Sequence, residues 1–332
     1  MLTMRLWKPP LKAKQAIKLV IIIQTIILST LSSPGVLACT IFTASQEDIV
    51  LFGNNEDYSN PNTYIWVIPP TNETYGGVYF GFDDLWPQGG INEKGLAFDI
   101  NALPEAPLNS HPEKPELDNY EGYIALQNSA TVDEAIEILS GYNWGNAIWG
   151  QIHIADANGE AVVISAGPDR EVSFTRKEPG DSVFISTNFN LGSNPKDERE
   201  GLCWRYDKAV EALEGDAELT VEHFRDIVDA VHVEGAYQNT LYSTIYDLKN
   251  GAIYVYYFHQ YDEVVTLDVT EKITQVHEPV PLKDLFSVET VELASSEQSK
   301  YVFQDRFGNV LEILGVVIAV GIAYFVLRRV RS

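Results

Sequence analysis

The sequence predicts an α+β protein whose layers are built on antiparallel sheets. Three segments are predicted as β-hairpins, because paired apolar, β-prone runs are separated by short polar or Gly-containing turns: 40–53, 151–165 and 240–258. Two groups of helical patterns, at 120–140 and 205–231, lie between these hairpins. Helices grouped between hairpin-linked strands favour a layered α+β fold over an alternation of parallel strands and helices.

The first hairpin places Cys39 at the start of a strand. Its two apolar runs cover residues 40–44 and 49–53, and the polar segment between them predicts the turn. Further strands are predicted at residues 64–68, 78–82 and 96–100.

The middle of the chain carries the first helices and the second hairpin. One helix covers about residues 120–128, and the next follows Thr131, whose spacing to Glu134 is that of a capping box. The second hairpin joins residues 151–155 to 161–165 through a turn at Asp156-Ala157-Asn158-Gly159.

The last part of the body repeats this order of elements. A strand at 182–187 runs into Asn188, and helices are predicted at 205–213 and, behind a Thr220 cap, at 221–231. The third hairpin joins residues 240–248 to 252–258 through Lys249-Asn250-Gly251.

Residues 1–38 have the three-part pattern of a secretory signal peptide. A basic start precedes a mostly apolar run over residues 19–28, and a stretch of small residues ends at Ala38. Cleavage after Ala38 makes Cys39 the first residue of the mature chain. The thiol then lies beside a free α-amine, whose ordinary pKa of about 7.7–8.0 suits a general base.

Three other interpretations of this region stay open. In the first, the leader is an uncleaved membrane anchor. In the second, residues 36–39 form a lipidation box, and lipidation blocks both the thiol and the amine of Cys39. In the third, Cys39 forms a disulfide with Cys203, the only other cysteine, as is common in exported proteins.

The C-terminal part predicts a stalk and a membrane anchor. Residues 39–270 form the folded domain, and the polar, Pro-containing segment 271–306 is predicted as a stalk. The apolar segment 307–328 is long enough to cross a bilayer, and the basic end 329–332 favours the cytoplasmic side. We therefore expect a domain outside the cell membrane, attached to the membrane through its C-terminal helix.

The body of the chain is strongly acidic. The whole sequence has 23 Lys and Arg against 47 Asp and Glu, and residues 39–305 have 14 bases against 46 acids, a net charge of about −32. Such a surface excludes nucleic acid as a partner and disfavours anionic membranes. The histidines have no metal-ligand spacing and no Gly-rich phosphate loop is present, so we expect neither a metal nor an organic cofactor.

An N-terminal cysteine hydrolase needs a thiol, an amine base, a group that holds the amine, and donors for an oxyanion. Cys39 provides the thiol and the amine. Asp57 follows across the first hairpin and is predicted to hold the amine. Asn101 and Asn188 lie at strand ends and are predicted to donate to the oxyanion without adding charge.

Five motifs, in order along nearly the whole body, resemble the choloylglycine hydrolase and penicillin V acylase group of N-terminal nucleophile amidohydrolases. The related acyl-coenzyme A:6-aminopenicillanic acid acyltransferases share the same plan. The motifs are Cys39-Thr40, Gly53-Asn54-Asn55-Glu56-Asp57, Gly90-Ile91-Asn92-Glu93-Lys94-Gly95-Leu96, Ser186-Thr187-Asn188 and the segment from Tyr242 to Gly251.

The resemblance implies a four-layer αββα sandwich and a set of roles. By it, Cys39 is the nucleophile, Asp57 holds its amine, and Asn101 and Asn188 line the oxyanion region. Arg205 is similar to the arginine that closes the site behind the nucleophile.

The substrate region departs from the hydrolase pattern at one position. The hydrolases carry arginine where this chain has Asn54, which leaves the acyltransferase branch open. We place Asn54 and Tyr242 in the substrate-binding region.

The expected activity is hydrolysis of a non-peptide linear amide, an N-acyl small molecule, through a thioester on Cys39. An acyltransferase of the same fold and a catalytically silent surface binding protein are the alternatives. The acyl group, the amine and the oligomeric state are left open.

Overall fold

Two antiparallel sheets form the body of the protein. The computed structural model describes residues 39–303, apart from 214, 216–217, 236–237 and 276–277. Within this described part, one sheet contains β1 (Thr40–Gln46), β2 (Ile49–Tyr58), β10 (Val183–Ser186), β11 (Asn239–Asp247), β12 (Ala252–Tyr257) and β13 (Gln260–Asp268), in the spatial order β10-β1-β2-β11-β12-β13. The other contains β3 (Thr63–Ile68), β4 (Gly77–Phe82), β5 (Pro87–Asn92), β6 (Ala97–Pro107), β7 (Ala147–Ala155), β8 (Ala161–Ala166), β9 (Val172–Arg176) and β14 (Val280–Pro281), in the order β14-β3-β4-β5-β6-β7-β8-β9.

Helices pack on both sheets. The described helices are α1 (Glu121–Asn128), α2 (Val132–Ser140), α3 (Trp204–Leu213), α4 (Val221–Ala230), the short α5 (Val269–Lys272) and α6 (288–303). Buried apolar residues of α1 and α2 form one core with the eight-stranded sheet. Those of α3 and α4 form a second core with the six-stranded sheet.

The alternation of side chains along a strand establishes that the molecule has four layers. On β1, Phe42 belongs to the core under α3 and α4, whereas the next residue, Thr43, bonds to His153 of the other sheet at 3.0 Å. On β7, Ile154 belongs to the core under α1 and α2. Since successive strand residues point to opposite faces, each sheet packs against helices on one face and against the other sheet on the opposite face. The predicted αββα sandwich is confirmed.

The turn of the first hairpin fixes which residue lies beside Cys39. Glu47 has a positive φ of 49° in the two-residue turn that joins β1 to β2. The register runs from the pair Gln46–Ile49 to the pair Thr40–Asn55. Continuing it by one residue places Cys39 opposite Glu56, with both side chains on the face between the sheets.

The helix caps predicted from sequence are present. The Thr131 hydroxyl accepts a hydrogen bond from the Glu134 backbone N–H at 3.3 Å, and Thr220 accepts one from the His223 N–H at 3.0 Å. Each bond satisfies one of the backbone donors left open at a helix start, a contribution of about 1 kcal/mol to stability.

The Asn92–Gly95 turn has a structural role. The Asn92 side-chain amide donates to the carbonyls of Leu126 and Ser129, both at 2.8 Å, and thereby attaches the end of α1 to the sheet. Gly95 has a φ of +77°, and a Cβ there would lie 2.1 Å from the Leu248 carbonyl oxygen, so only glycine fits. The motif from Gly90 to Leu96, one of the five behind the family resemblance, therefore has a role in packing.

The stalk predicted at 271–306 is wrong in its first part, because the compact unit extends to residue 298. Val280 and Pro281 form β14, which pairs with β3, and Leu282 is fully buried after it. The Glu263 carboxylate accepts a bond from the Ser287 hydroxyl at 2.7 Å just before α6. The prediction failed because the segment contains few apolar residues and these are widely spaced. Those few residues nevertheless pack against the body of the protein.

Strands β5, β9 and β13 were not predicted from the sequence. The β5 segment Pro87–Asn92 begins with proline and contains two glycines, a composition that strands usually avoid. Its glycines lie where a side chain would collide with neighbours: a Cβ on Gly89 would be 2.2 Å from an Asp99 carboxylate oxygen. Close packing between strands, invisible in a propensity pattern, explains this element.

The predicted signal peptide at 1–38, the membrane helix at 307–328 and the basic end at 329–332 lie outside the described residues. None of the helices described within 39–303 combines the length and the apolar character that a bilayer crossing requires.

Candidate active site

A cleft of about 320 Å³ opens beside Cys39, where β1 begins and β2 ends. The residues that line it are Cys39, Glu56, Asp57, Tyr58, Ser59, Asn60, Phe82, Asp84, Trp86, Gln88, Ile100 and Ala102. A larger cavity, of about 600 Å³, lies beside β9 and β10 and contains none of the residues predicted for the site. Chemistry and not cavity size therefore identifies the candidate site.

Cys39 is buried, with 4% of its surface exposed, and its thiol faces acids. Its Sγ lies 3.7 Å from Glu56 Oε1. Burial, and then the negative charges of Glu56, Asp57 and Asp99, raise the pKa of the thiol well above its ordinary value. A thiol in this environment stays protonated near neutral pH unless a base accepts its proton. Both cysteines are free, so the alternative disulfide between Cys39 and Cys203 is absent.

Asp57 is the buried carboxyl next to the start of β1. Its Oδ1 accepts a short hydrogen bond from the Thr240 hydroxyl, and its Oδ2 lies 3.5 Å from Arg205 Nη1. Burial raises the pKa of Asp57 to about 7, although the Arg205 charge and the Thr240 bond act in the opposite direction. Because its pKa is close to neutral, Asp57 can change its charge when a positive group approaches.

Arg205 connects most of the predicted site residues. It lies in the first turn of α3, and its Nη1 donates to the Cys39 carbonyl oxygen at 3.1 Å and to Thr40 Oγ1 at 2.9 Å. Its Nη2 donates to Asn188 Oδ1 at 2.8 Å. With Asp57 beside it, the planar guanidinium links Cys39, Asp57 and Asn188, three residues predicted from separate motifs.

Asn101 also holds the backbone of Cys39. Its Nδ2 donates to the Cys39 carbonyl oxygen at 3.1 Å, so this oxygen receives bonds from both Asn101 and Arg205. Asn188 donates from its own Nδ2 to the Ala102 carbonyl at 2.9 Å. Each side-chain amide nitrogen carries two hydrogens, so each retains one for a further acceptor.

Gln151 was missed by the sequence analysis and is central to this network. Its side-chain amide nitrogen donates to Asn101 Oδ1 at 3.2 Å and to the carbonyls of Thr187 at 2.7 Å and Phe189 at 3.0 Å. It is fully buried on β7 and links the sheet to the segment that carries Asn188. It lies in a predicted strand, yet no local pattern distinguishes it from the neighbouring strand residues.

Asn54 and Tyr242, predicted to bind substrate, do not line the cleft. Asn54 is fully buried between the sheets, where its Nδ2 donates to Asp99 Oδ2 at 2.6 Å and its Oδ1 accepts from the Thr244 hydroxyl at 2.6 Å. Tyr242 is buried below the cleft, and burial raises its pKa, as does the nearby Glu56. The structure places both residues behind the cleft wall.

Two buried carboxyls near the thiol were missed as well. Glu56 lies in the cleft wall, and Asp99 lies behind it, bound to Asn54. Burial, together with the Asp99 and Asp57 charges, raises the pKa of Glu56 well above its ordinary value. The hairpin register was the signal that would have found Glu56, because it pairs this residue with Cys39.

Among the described residues, no group of three or more His, Cys, Asp and Glu side chains is arranged to hold a metal ion.

The four-layer fold, with two packed antiparallel sheets between helices, is that of the N-terminal nucleophile hydrolases. The chain belongs to the acyl-coenzyme A:6-aminopenicillanic acid acyl-transferase family, whose family model matches residues 44–261. The matched segment includes every predicted site residue except Cys39, which precedes it. No curated protein sequence matches the chain.

Solved structures of similar fold come from two kinds of enzyme. A variant of the conjugated bile acid hydrolase from Clostridium perfringens aligns with a TM-score of 0.58 and 17% identity, covering 75% of this chain and 99% of that chain. A second mutant of that hydrolase aligns with a TM-score of 0.54 and 17% identity, over 72% and 95%. Penicillin V acylase from Agrobacterium tumefaciens aligns with a TM-score of 0.54 and 16% identity, over 70% and 86%. At these identities the likeness establishes the fold.

Proposed function

We propose that the mature protein begins at Cys39 and cleaves a non-peptide linear amide through a thioester on the Cys39 sulfur. The observation that carries this proposal is the convergence of Arg205 on Cys39, Asn188 and Asp57 beside a cleft lined by the thiol. Family membership and the bile acid hydrolase and penicillin V acylase folds support it.

In the proposed reaction, the free α-amine of Cys39 accepts the proton of its own thiol. Burial and neighbouring acids raise the pKa of that thiol, so an adjacent base is required to form the nucleophile. Asp57 holds the amine in position, and Arg205 holds the carbonyl oxygen of the same residue. The thiolate attacks the acyl carbonyl, the resulting ammonium protonates the leaving amine, and water then hydrolyses the thioester.

Asn101 and Asn188 are the proposed donors to the tetrahedral oxyanion. Each has a second amide hydrogen, and their other contacts, to Arg205 and Gln151, fix the side-chain orientations. Pre-oriented donors of this kind contribute about 3–4 kcal/mol each to transition-state stabilisation. Asn54 and Tyr242 act in this proposal from behind the cleft wall, where they support its shape.

Acyl transfer is the second candidate, and the family itself favours it. In this reaction an amine, and not water, attacks the thioester on Cys39. The two activities share the first half-reaction and differ only in the acceptor. Product analysis with an added primary amine separates them: transfer gives a new amide, and hydrolysis gives the free acid.

The test uses the chain that begins at Cys39, mixed with penicillin V, a conjugated bile acid and simple acyl p-nitroanilides. We expect amine release and, on rapid acid quenching, an intact mass increased by the acyl group. Cys39→Ala abolishes both signals, and Cys203→Ser is the matched control that retains them. A folded protein with no acylation of Cys39 and no amine release contradicts the proposal and favours a surface binding protein.

The location follows as part of the same proposal. The signal-peptide pattern at 1–38 and the apolar segment 307–328 support export and a C-terminal membrane anchor. Terminal sequencing of the protein purified from membranes tests the proposed export, since export with cleavage makes Cys39 the N-terminal residue. A chain that retains residue 38 or carries a lipid on Cys39 contradicts the mechanism.

A further inference from the structure

The wall of the cleft beside Cys39 is acidic, and the only cation proposed for it is the α-amine of Cys39, which Asp57 holds. Glu56, Asp57 and Asp84 line it, and none of its described lining residues is Lys, Arg or His. Asp57 has Arg205 and Thr240 as partners. Glu56 has no cationic side chain beside it among the described residues. Of the two acids nearest the thiol, Glu56 is therefore the one that still lacks a positively charged side-chain partner.

Glu56 is the carboxyl that lacks a partner. It is 2% exposed and lines the cleft, and its Oε2 is buried without a hydrogen bond among the described residues. Its Oε1 has only a long contact, 3.7 Å, with Cys39 Sγ. An unsatisfied buried polar group costs about 1–3 kcal/mol, and one that a native structure retains calls for an explanation, such as a catalytic role or a bound water or ion.

The groups that face Glu56 from neighbouring strands are acids and weak acids. They are Cys39, just before β1, Asp99 on β6 and Tyr242 on β11, with Asp57 next to Glu56 on β2; the α-amine of Cys39 is the one base among these groups, and Asp57 holds it. Asp99 is already bound to Asn54 and to the backbone N–H of Ile100. This environment repels an anion and favours a cation at Glu56.

Aromatic rings form the outer part of the same cleft. Trp86 is 44% exposed and stacks on Tyr120 with ring centroids 4.1 Å apart. Tyr58 packs against Phe82 at 4.9 Å, and both line the cleft. The faces of such rings attract ammonium groups by about 0.5–2 kcal/mol, an observation independent of the carboxyl.

We infer that the substrate carries a primary ammonium group within a few bonds of the scissile amide, and that Glu56 binds it. This inference rests on the proposed amide cleavage at Cys39. An ammonium that donates to Glu56 Oε2 at about 2.8 Å lies within roughly 9 Å of the thiol, since the two carboxylate oxygens are about 2.2 Å apart and Oε1 lies 3.7 Å from Sγ. The bound cation therefore belongs to the part of the substrate next to the reacting carbonyl, on its acyl side or on its amine side.

Binding changes the proton on Glu56 and forms no covalent bond. In the empty cleft, burial and the charges of Asp99 and Asp57 raise the pKa of Glu56, which favours its protonated form. The ammonium favours the carboxylate, and the carboxyl releases its proton to solvent as the ion pair forms. Specificity follows because a neutral substrate leaves this carboxyl without a partner, and an anionic substrate is repelled by the acids of the cleft.

The test compares substrates of matched shape and different charge. The enzyme that begins at Cys39 is given β-alanyl, butyryl and succinyl p-nitroanilides, since the β-alanyl and butyryl groups differ only in an ammonium replacing a methyl. A second pair, N-butyryl-ethylenediamine and N-butyryl-propylamine, places the charge on the amine side. We expect kcat/KM for one cationic substrate to exceed that of its neutral partner at least about tenfold.

Glu56→Gln is the decisive variant, and the ratio of cationic to neutral kcat/KM is its readout. The ratio cancels any loss of folded protein or of thiol reactivity, and we expect it to fall to near one. Glu137→Gln, an exposed glutamate on α2, is the matched control and keeps the wild-type ratio. A wild-type preference for the neutral or succinyl substrate, or a ratio unchanged by Glu56→Gln, overturns the inference.

A binding measurement separates this inference from the proposed reaction. In the inactive Cys39→Ala chain, calorimetry compares β-alaninamide with butyramide, and N-butyryl-ethylenediamine with N-butyryl-propylamine. Tighter binding of the cation in one of these pairs, at least about fivefold, supports the ammonium site even if no amide is cleaved. Equal binding within both pairs overturns it, whether or not Cys39 proves to be a nucleophile and whether or not Glu56→Gln folds.

Discussion

Arg205 donates a hydrogen bond to the carbonyl oxygen of Cys39 at 3.1 Å, although the two residues are separated by 166 positions in the chain. The contact joins the first turn of α3 to the residue that precedes β1. Its guanidinium also reaches Asn188, so the nucleophile and a proposed oxyanion donor share one cation. The position of the helix on its sheet therefore sets the geometry of the site.

Replacing Arg205 by lysine keeps the charge and removes the planar group that makes three bonds at once. We expect kcat/KM to fall by about 100-fold, because Cys39, Thr40 and Asn188 lose fixed donors. The free energy of unfolding decreases by about 2 kcal/mol. Steady-state kinetics and urea denaturation measure the two effects. Arg225→Lys on α4, in a surface pair with Asp226, is the control and changes stability by less than about 0.5 kcal/mol.

Gln151→Leu tests the network that sequence analysis missed. The leucine leaves the carbonyls of Thr187 and Phe189 without their donor and frees Asn101 to rotate. We expect a loss of about 2–4 kcal/mol of stability and at least about a tenfold loss in kcat. Thermal unfolding and kinetics check this. Gln127→Leu on α1 is the comparison variant, and equal effects of the two substitutions would refute a special role for Gln151.

The reactivity of Cys39 depends on whether its amine is free. In a chain that retains Ala38, the raised pKa of the thiol makes iodoacetamide alkylation slow near neutral pH. A chain that begins at Cys39 has its own base, and we expect alkylation at least about tenfold faster. Mass spectrometry of both chains measures the rates. Cys203, half-exposed in each, is the internal standard, and equal Cys39 rates would contradict the role of the amine.

The raised pKa of Asp57 predicts that stability falls as the pH rises. Its pKa in the fold is about 7, compared with 3.8 for an ordinary aspartate. The folded state thus binds the proton more tightly than the unfolded state. The associated stability is complete below about pH 4 and is lost as the pH rises to about 7, by at most roughly 4 kcal/mol at 1.36 kcal/mol per unit. Glu56 and Asp99 act in the same direction.

Urea denaturation of a chain that retains Ala38 and carries Cys39→Ala measures this slope between about pH 4 and pH 8, because no α-amine then faces Asp57. In Asp57→Asn the slope becomes shallower, because the side chain no longer titrates. The exposed Glu137→Gln leaves it unchanged. A slope that is identical with and without Asp57 would show that this carboxyl does not titrate in the range.

The sequence predicted much of the fold because its signals are local. The hairpin turns, the caps at Thr131 and Thr220 and the alternating apolar runs all act within a few residues, and each is present. β5 escaped prediction because its glycines serve close packing, and the stalk was wrong because three spaced apolar residues, Leu282, Phe286 and Ala294, are buried.

The site was predicted less completely, because some of its contacts join residues that are far apart in the chain. Cys39, Asp57, Asn188 and Arg205 came from motifs, and the structure brings them together. Gln151 acts through contacts 36 to 50 residues away, which no local pattern encodes.

By itself, the sequence determined the layered α+β class, the first hairpin with Cys39 at the start of its strand, and the residue types available for chemistry. These follow from strand alternation and turn geometry, which depend on near neighbours. Only the tertiary structure decided that Arg205 holds the Cys39 carbonyl and that one oxygen of the buried Glu56 carboxyl has no hydrogen bond within the described part of the chain. Both depend on how two sheets and a helix pack, and packing joins residues far apart in the chain, where local propensities have no influence.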